Sequence, residues 1–404
     1  MKQNQHGNSN KQEKQVKLVS YFGQISNWYS SLFVNQIVII LGAVGIYTLT
    51  YNYIIPKTIA LKSTSLADSA KLMSFSIKEV LNVSRISAIS NSRNKMSNEI
   101  NYNVLKSPTW RTNKRLDDIV NDIVALAKKQ ELPYQSLSVT LIDLNTETIS
   151  GYQQHVTRYP ASVVKLFWMV ILEELLNLNQ VENSNQVNDD VKSMIIKSDN
   201  DAASRIVDII TNSKSSVDEL SDTKFTNWLK KRYQMNSFFQ KAGYQEINIS
   251  QKTFPFAEPV MNEPEGTELQ LQNYQKNSNQ ISAYHAARMM YEIVTKSAVS
   301  FESSQKMLTL LQRDLHVSAW KNNPTPTEAF NPVENFMGES LSDQDIIFAS
   351  KAGQTSTVRN EVAYVATRNG KFRYIIAVFG QDAKYSESTT IFPKISKLVF
   401  ERMK

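Results

Sequence analysis

Ser162 and Lys165 stand one helical turn apart in Tyr159-Pro160-Ala161-Ser162-Val163-Val164-Lys165-Leu166-Phe167-Trp168-Met169-Val170-Ile171-Leu172, a stretch that is otherwise largely apolar. Residues at i and i+3 share a helix face, and Pro160 suits the first position of a helix, so both groups would sit near the positive end of the helix dipole. A serine hydroxyl is a weak nucleophile by itself. A lysine held in an apolar wall loses part of its preference for the charged form and can accept the hydroxyl proton, which is the activation that acyl transfer needs. The plainer alternative is a lysine whose stem lies along an ordinary helix with its ammonium in water.

Spacing does not choose between these readings, because Ser92/Lys95, Ser221/Lys224, Ser303/Lys306 and Ser318/Lys321 repeat it. Those pairs sit in polar, weakly periodic sequence, whereas a helix apolar on every side must run through a core. Two more groups follow in order: Ser198-Asp199-Asn200, and then Lys351-Ala352-Gly353 with Gln354 and Thr355 behind it. Taken singly, the first is also a favourable helix cap or turn. The second also fits a lysine that guards a sheet edge against aggregation.

The elements that would position these groups can be read from periodicity. Leu116, Ile119, Val120, Ile123, Val124 and Leu126 recur at helical spacing, and Leu137 to Leu144 followed by Thr148 to Tyr152 reads as a hairpin around Asn145-Thr146-Glu147. Val191 to Ile196 is a short helical approach to Ser198, and Asp201 to Ile210 continues as a helix. From about Thr211 to Gln280 the chain is polar and gives no clear pattern. Helices are expected at Ser282 to Val294 and Gln305 to Leu311, a strand at Asp345 to Ala349, and a hairpin of Glu361 to Thr367 with Phe372 to Phe379 through Asn369-Gly370. A helix at about Thr390 to Met403 closes the chain. Strands at both ends with helices between predict an α+β domain, an α/β sandwich whose antiparallel sheet is built from both ends around an inserted helical lobe, with the site between sheet and helices.

The chain has 404 residues, more than that domain needs. No charged residue occurs from Leu18 to Pro56, and residues 32–55 are apolar enough and long enough to span a bilayer, with Tyr47, Tyr51 and Tyr53 toward one end. Lys2, Lys11, Lys14 and Lys17 precede it against the single acid Glu13, so the positive-inside rule keeps residues 1–31 in the cytoplasm and exports everything after Lys57. A cleaved signal peptide or a buried helix is the competing reading. Residues 57–109, rich in Ser, Asn and Lys, read as a polar stalk, and 110–404 as the catalytic domain. There is no cysteine, which excludes disulfides and thiol chemistry, and the scattered His6, His155, His285 and His316 lack ligand spacing, so neither metal nor cofactor is expected. The formal charge of +7 comes without a basic stripe interleaved with aromatics, so nucleic acid is not an expected partner.

In this order, S-x-x-K, S-D-N and K-x-G, the three groups resemble the signatures of the penicillin-recognising serine hydrolases, and more closely those of the class A serine β-lactamases, over roughly Leu116 to Lys404. Met194-Ile195-Ile196-Lys197 before and Asp201-Ala202-Ala203 after the S-D-N group extend the likeness. The resemblance implies a β-lactamase/transpeptidase-like fold, Ser162 as the acylated nucleophile and Lys165 as general base or proton relay. It implies Ser198 as proton shuttle to the departing amine, Asn200 as a partner of Lys165 and of the substrate amide, and Lys351 as a positive charge for a substrate carboxylate. The N–H groups of Ser162 and of Gln354, or of a neighbour past Gly353, would form the oxyanion hole. Ala352 stands where the family carries a hydroxyl, and Thr355 or Arg359 would replace its bond to substrate. Deacylation in the family uses a loop glutamate in an E-x-x-L-N pattern, for which Glu268 of Glu268-Leu269-Gln270-Leu271-Gln272 is the first candidate and Glu263 the second. The reading is a membrane-anchored, exported, monomeric serine hydrolase of β-lactams. The alternatives are a peptidoglycan peptidase or esterase that β-lactams acylate slowly, and a non-catalytic cell-wall sensor.

Overall fold

Most of the helices lie between an early and a late group of strands, which pair with each other in one sheet. A computed structural model describes residues 100–321, 330–342 and 344–404; the expected membrane span and most of the expected stalk lie outside them. Among the described residues no helix is long and apolar enough to cross a membrane. In chain order the first elements are β1 (Arg111–Thr112), α1 (Lys114–Lys129), β2 (Leu137–Asp143), β3 (Thr148–Tyr152), β4 (Thr157–Arg158) and α2 (Lys165–Asn177). The lobe continues with α3 (Asn185–Lys192), α4 (Asn200–Thr211), α5 (Asp222–Gln240), β5 (Phe256–Ala257), β6 (Val260–Met261), α6 (Gly266–Gln275), β7 (Ile281–Ser282), α7 (Ala283–Val294), α8 (Phe301–Leu311) and the short α9 (Val317–Trp320). The chain returns through β8 (Ile346–Gln354), β9 (Arg359–Thr367), β10 (Arg373–Gly380), α10 (Ala383–Glu387) and α11 (Ile391–Met403).

The main sheet has the order β1-β3-β2-β10-β9-β8. Every pairing is antiparallel except the short β1, which runs parallel to β3. Successive side chains of a strand point to opposite faces. In the central β2, Leu137, Val139 and Leu141 enter one core while Ile142 enters the other, and in β10 Tyr374, Ile376 and Val378 oppose Ile375, Ala377 and Phe379. One face is covered by α1 and α11, the other by the lobe. The expected α+β architecture, with a sheet drawn from both ends and a helical lobe inserted, is what forms.

Several boundaries differ from expectation. The helix expected from Pro160 begins as a tight 3-10 turn, Ala161–Val164, and becomes α-helical only at Lys165. The approach to Ser198 is α3 followed by a π-type turn, Ser193–Lys197. The unparsed polar region contains the longest described helix, α5, whose apolar stripe of Trp228, Leu229, Met235, Phe238 and Phe239 is interrupted by a fully buried Arg232. The domain also starts earlier than residue 110. Tyr102 is in the core at 1% exposure, tilted against Phe238 and edge-on to Phe239, and its hydroxyl donates to Glu292 at 2.7 Å.

Candidate active site

The nucleophile candidate sits on a constrained turn. Ala161 has φ of +46°, a left-handed conformation that is unfavourable for a residue with a Cβ and persists only where the surroundings enforce it. The Val163 N–H donates to Pro160 O at 3.2 Å and the Lys165 N–H to Ser162 O, which fixes the turn at the head of α2. Gly353 of β8 explains what enforces it. A Cβ on that residue would stand 2.6 Å from Ser162 N and 3.0 Å from Pro160 O, so only glycine lets the strand backbone pack directly on the turn. Ser162 itself is partly exposed.

Behind it, Lys165 is completely buried. Its ammonium donates to Ser198 O at 2.5 Å and to Asn200 Oδ1 at 2.6 Å, two uncharged acceptors. Burial pushes its pKa down to about 7, with the nearby Asp199 carboxylate pulling the other way. Asp199 caps α4 by accepting from the Ala202 N–H at 2.7 Å, and the Asn200 amide donates to Phe254 O at 2.9 Å. Ser198 adopts φ of +60°, which turns its hydroxyl toward Lys351, and the Lys351 ammonium donates to it at 2.9 Å. Lys351 is 1% exposed, with its pKa well below the usual lysine range through burial first and then repulsion from Lys165 and Arg313. Ser162, Lys165, Ser198, Asn200, Lys351 and Gly353 are therefore brought to one place.

The remaining candidates are placed otherwise. On β8 and β9 the side chains alternate, so Ala352 is fully buried in the core behind the sheet and presents nothing to the cleft. Arg359, opposite Gln354 in the register, is 3% exposed and spends its guanidinium on Asn335 O and Ser386 O, both at 2.6 Å. It is thus not available to replace a missing hydroxyl, because strand parity aims it away from substrate. The Gln354 amide donates to Ser386 O at 3.0 Å, so only its backbone faces the cleft side, and Thr355 sits in the following turn with its hydroxyl toward Thr357 at 3.3 Å.

No hydrogen bond or ion pair links Glu268 to Lys165. The glutamate is fully buried at the start of α6, paired with Arg232 at 2.9 Å, and accepts from Ser215 at 2.7 Å and from the Lys252 N–H at 3.4 Å. Its carboxylate holds the loop of residues 249–256 from below, while Lys252 pairs with Asp208 at 2.7 Å. Glu263 is exposed. Among the described residues no carboxylate bonds or pairs with Lys165, Ser198 or Lys351, and the loop residue seated on Asn200 is Phe254.

Three participants escape sequence reasoning. Phe254 contributes a carbonyl, which any residue supplies. Arg313 donates to Ile195 O at 3.0 Å and Ser350 O at 2.8 Å, tying the S-D-N turn to β8, and only an isolated arginine after a helix marks it in sequence. Glu361 is fully buried on the back of β9, accepts from the Met337 N–H at 2.8 Å, and is pushed up to about 7 by burial. Its place in an alternating strand gives no sign of a carboxylate.

No curated protein sequence matches. Among solved structures, a β-lactamase from Sphaerobacter thermophilus DSM 20745 is 17% identical with a TM-score of 0.49, covering 71% of this chain and 97% of its own. PBP-A, in an acyl-enzyme complex of a variant with penicillin G, is 17% identical with a TM-score of 0.50 over 73% of this chain and 98% of its own. TLA-1 extended-spectrum β-lactamase is 14% identical with a TM-score of 0.49, covering 72% and 99%. The model of the β-lactamase enzyme family matches residues 115–403, from the first turn of α1 to the last residue of α11, and the chain thus belongs to that family of serine hydrolases.

Proposed function

We propose that the protein is a membrane-anchored serine hydrolase that takes the acyl group of β-lactams and related cell-wall amides onto Ser162 and releases it slowly. The observation that carries this reading is the pairing of a buried, readily neutral Lys165 with uncharged acceptors only. Neutral Lys165 takes the Ser162 Oγ proton as that oxygen attacks the amide carbonyl, and the developing oxyanion lies toward the N–H groups of Ser162 and Gln354. Ser198 gives its hydroxyl proton to the departing amine as the C–N bond breaks and takes one in turn from the Lys351 ammonium that donates to it. Hydrolysis of the resulting ester needs an activated water. With Glu268 committed to Arg232 and Phe254 on Asn200, the acyl group outlasts the chemistry that forms it.

Support for anchoring is confined to the sequence of residues 32–55, with the catalytic domain exported. Intact-protein mass spectrometry with penicillin and a chromogenic cephalosporin tests the reading. The expected result is a mass increase equal to the whole β-lactam, persisting for minutes or longer, absent in Ser162→Ala. Rapid substrate loss without an adduct would overturn slow release, and undiminished labelling of Ser162→Ala would remove Ser162 from the mechanism. Protease added to intact cells should digest the domain, and protection would overturn export.

A further inference from the structure

Helix α5 turns an unusual stripe to one side of the lobe. Tyr233, Asn236 and Gln240 recur at helical spacing and line a recess of about 410 Å³, whose other wall is made by Asn248, Gln275 and Gln280. That volume is within the range of ligand sites, roughly 300–1,000 Å³. Its lining carries no formal charge, in a chain of which 21% of residues are charged. Each amide offers a donor and an acceptor in fixed geometry. An ion would find no counter-charge there, and an apolar ligand would leave the Gln280 side chain unpaired. The matching chemistry is a neutral ligand dense in hydroxyl and amide groups.

The recess is also held in shape. Asn236 Oδ1 accepts from the Ile249 N–H at 2.8 Å while its amide donates to Asn248 Oδ1 at 3.1 Å, and Gln275 donates to Ser250 Oγ at 2.5 Å. Asn248 and Gln280 exchange backbone hydrogen bonds at 2.9 and 2.7 Å, while the Gln280 side chain has no protein partner among the described residues. The Tyr233 ring lies 6.1 Å from that of Tyr274, which is 61% exposed, and the two provide flat apolar surface of the kind on which the C–H face of a pyranose rests.

We propose that this recess binds an uncharged oligosaccharide. Resting on the catalytic reading above, the ligand is the glycan of the same cell-wall polymer whose peptide amide Ser162 attacks. The loop supports that link, since Asn248 in the recess and Phe254 on Asn200 are six residues apart, at most about 20 Å of extended chain. A sugar in the recess and a short peptide in the cleft can thus belong to one molecule.

The test is isothermal titration calorimetry of the full chain in a zwitterionic detergent with N,N′,N″-triacetylchitotriose. Binding is expected, at least tenfold weaker in the double variant Gln240→Ala/Asn277→Ala, which removes two amides of the lining, and weakened by Ser237→Asp, which puts a charge on the exposed rim of the same recess. Both variants should still be acylated by labelled penicillin at the parent rate, and Ser162→Ala should still bind the sugar. No heat with the parent protein, or binding indifferent to both variants, would overturn the site. Sugar binding in a protein that penicillin never labels would sink the catalytic reading and leave the recess standing.

Discussion

Ser198 is gripped by two lysines, Lys165 through its carbonyl and Lys351 through its hydroxyl, and the two cations repel one another across it. Their titrations are coupled, so an observed inflection belongs to the pair. In the proposed mechanism the base must be neutral to act, and the neutral fraction of Lys165 grows as pH rises through about 7. Acylation by penicillin should therefore rise from pH 6 to pH 8 with an inflection near 7, and a stopped-flow profile that is flat or falling would contradict a lysine base. Glu361 titrates in the opposite sense for stability. Its folded pKa of about 7 lies above its ordinary 4.5, so the native state holds the proton more tightly than the unfolded chain. That contribution is fully present below about 4.5 and is lost as pH rises through 7, on the order of 3 kcal/mol over the interval. Thermal melts of Glu361→Gln should show a flatter pH dependence between 5 and 8 and a higher Tm at pH 8 than the parent.

At the scale of elements, the catalytic turn depends on the closeness of two backbones. Gly353→Ala would place a Cβ 2.6 Å from Ser162 N, so β8 must retreat from the turn and carry Gln354 N with it. Losing one oxyanion donor costs about 10²–10³ in rate. Penicillin acylation of Gly353→Ala should fall by that order while its circular dichroism stays native. The loop under Phe254 is secured by the pair of Arg232 and Glu268, both completely buried. Glu268→Gln leaves the buried Arg232 only its longer pair with Asp208 at 3.7 Å, which costs up to about 3 kcal/mol. The variant should melt well below the parent and be cut in residues 249–256 by protease, with deacylation unchanged; a trapped adduct in a fully stable Glu268→Gln would return Glu268 to the chemistry. The polar region could not be parsed because α5 places Arg232 inside its apolar stripe and amides along its outer one, which blurs the helical period. The serine, both lysines and Asn200 were legible because it is their side chains that meet at the site. Phe254 was not, because what it offers Asn200 is a backbone carbonyl.

For the whole described domain, two of the sheet's pairings followed from hairpin signals, since Asn145-Thr146-Glu147 joins β2 to β3 and Asn369-Gly370 joins β9 to β10. The start of the domain did not follow, because residues 100–109 look polar except for a few side chains. Those few matter. Tyr102 donates to Glu292, Ser107 Oγ accepts from Arg288 at 2.7 Å, and Trp110 packs edge-on against Tyr291 with ring centroids 4.6 Å apart. Starting the chain at Trp110 rather than Ile100 strips a buried aromatic and a donor from a fully buried carboxylate, a loss of about 3–5 kcal/mol. Differential scanning calorimetry of the two chains should show the shorter one melting about ten degrees lower, and equal melting would mean that these residues only rest on the lobe.

The double grip on Ser198 has a thermodynamic side. Each lysine has been moved toward neutrality, so at neutral pH the cleft holds fewer protons than two ordinary lysines would. A ligand carboxylate that settles beside Lys351 restores the preference for the ammonium, and by reciprocity the proton it draws in tightens its own hold. Binding of anionic ligands to this protein is then an exchange with the solvent's acid. Calorimetric heats measured in phosphate and in Tris, whose ionisation enthalpies differ widely, should diverge in proportion to the fraction of a proton taken up.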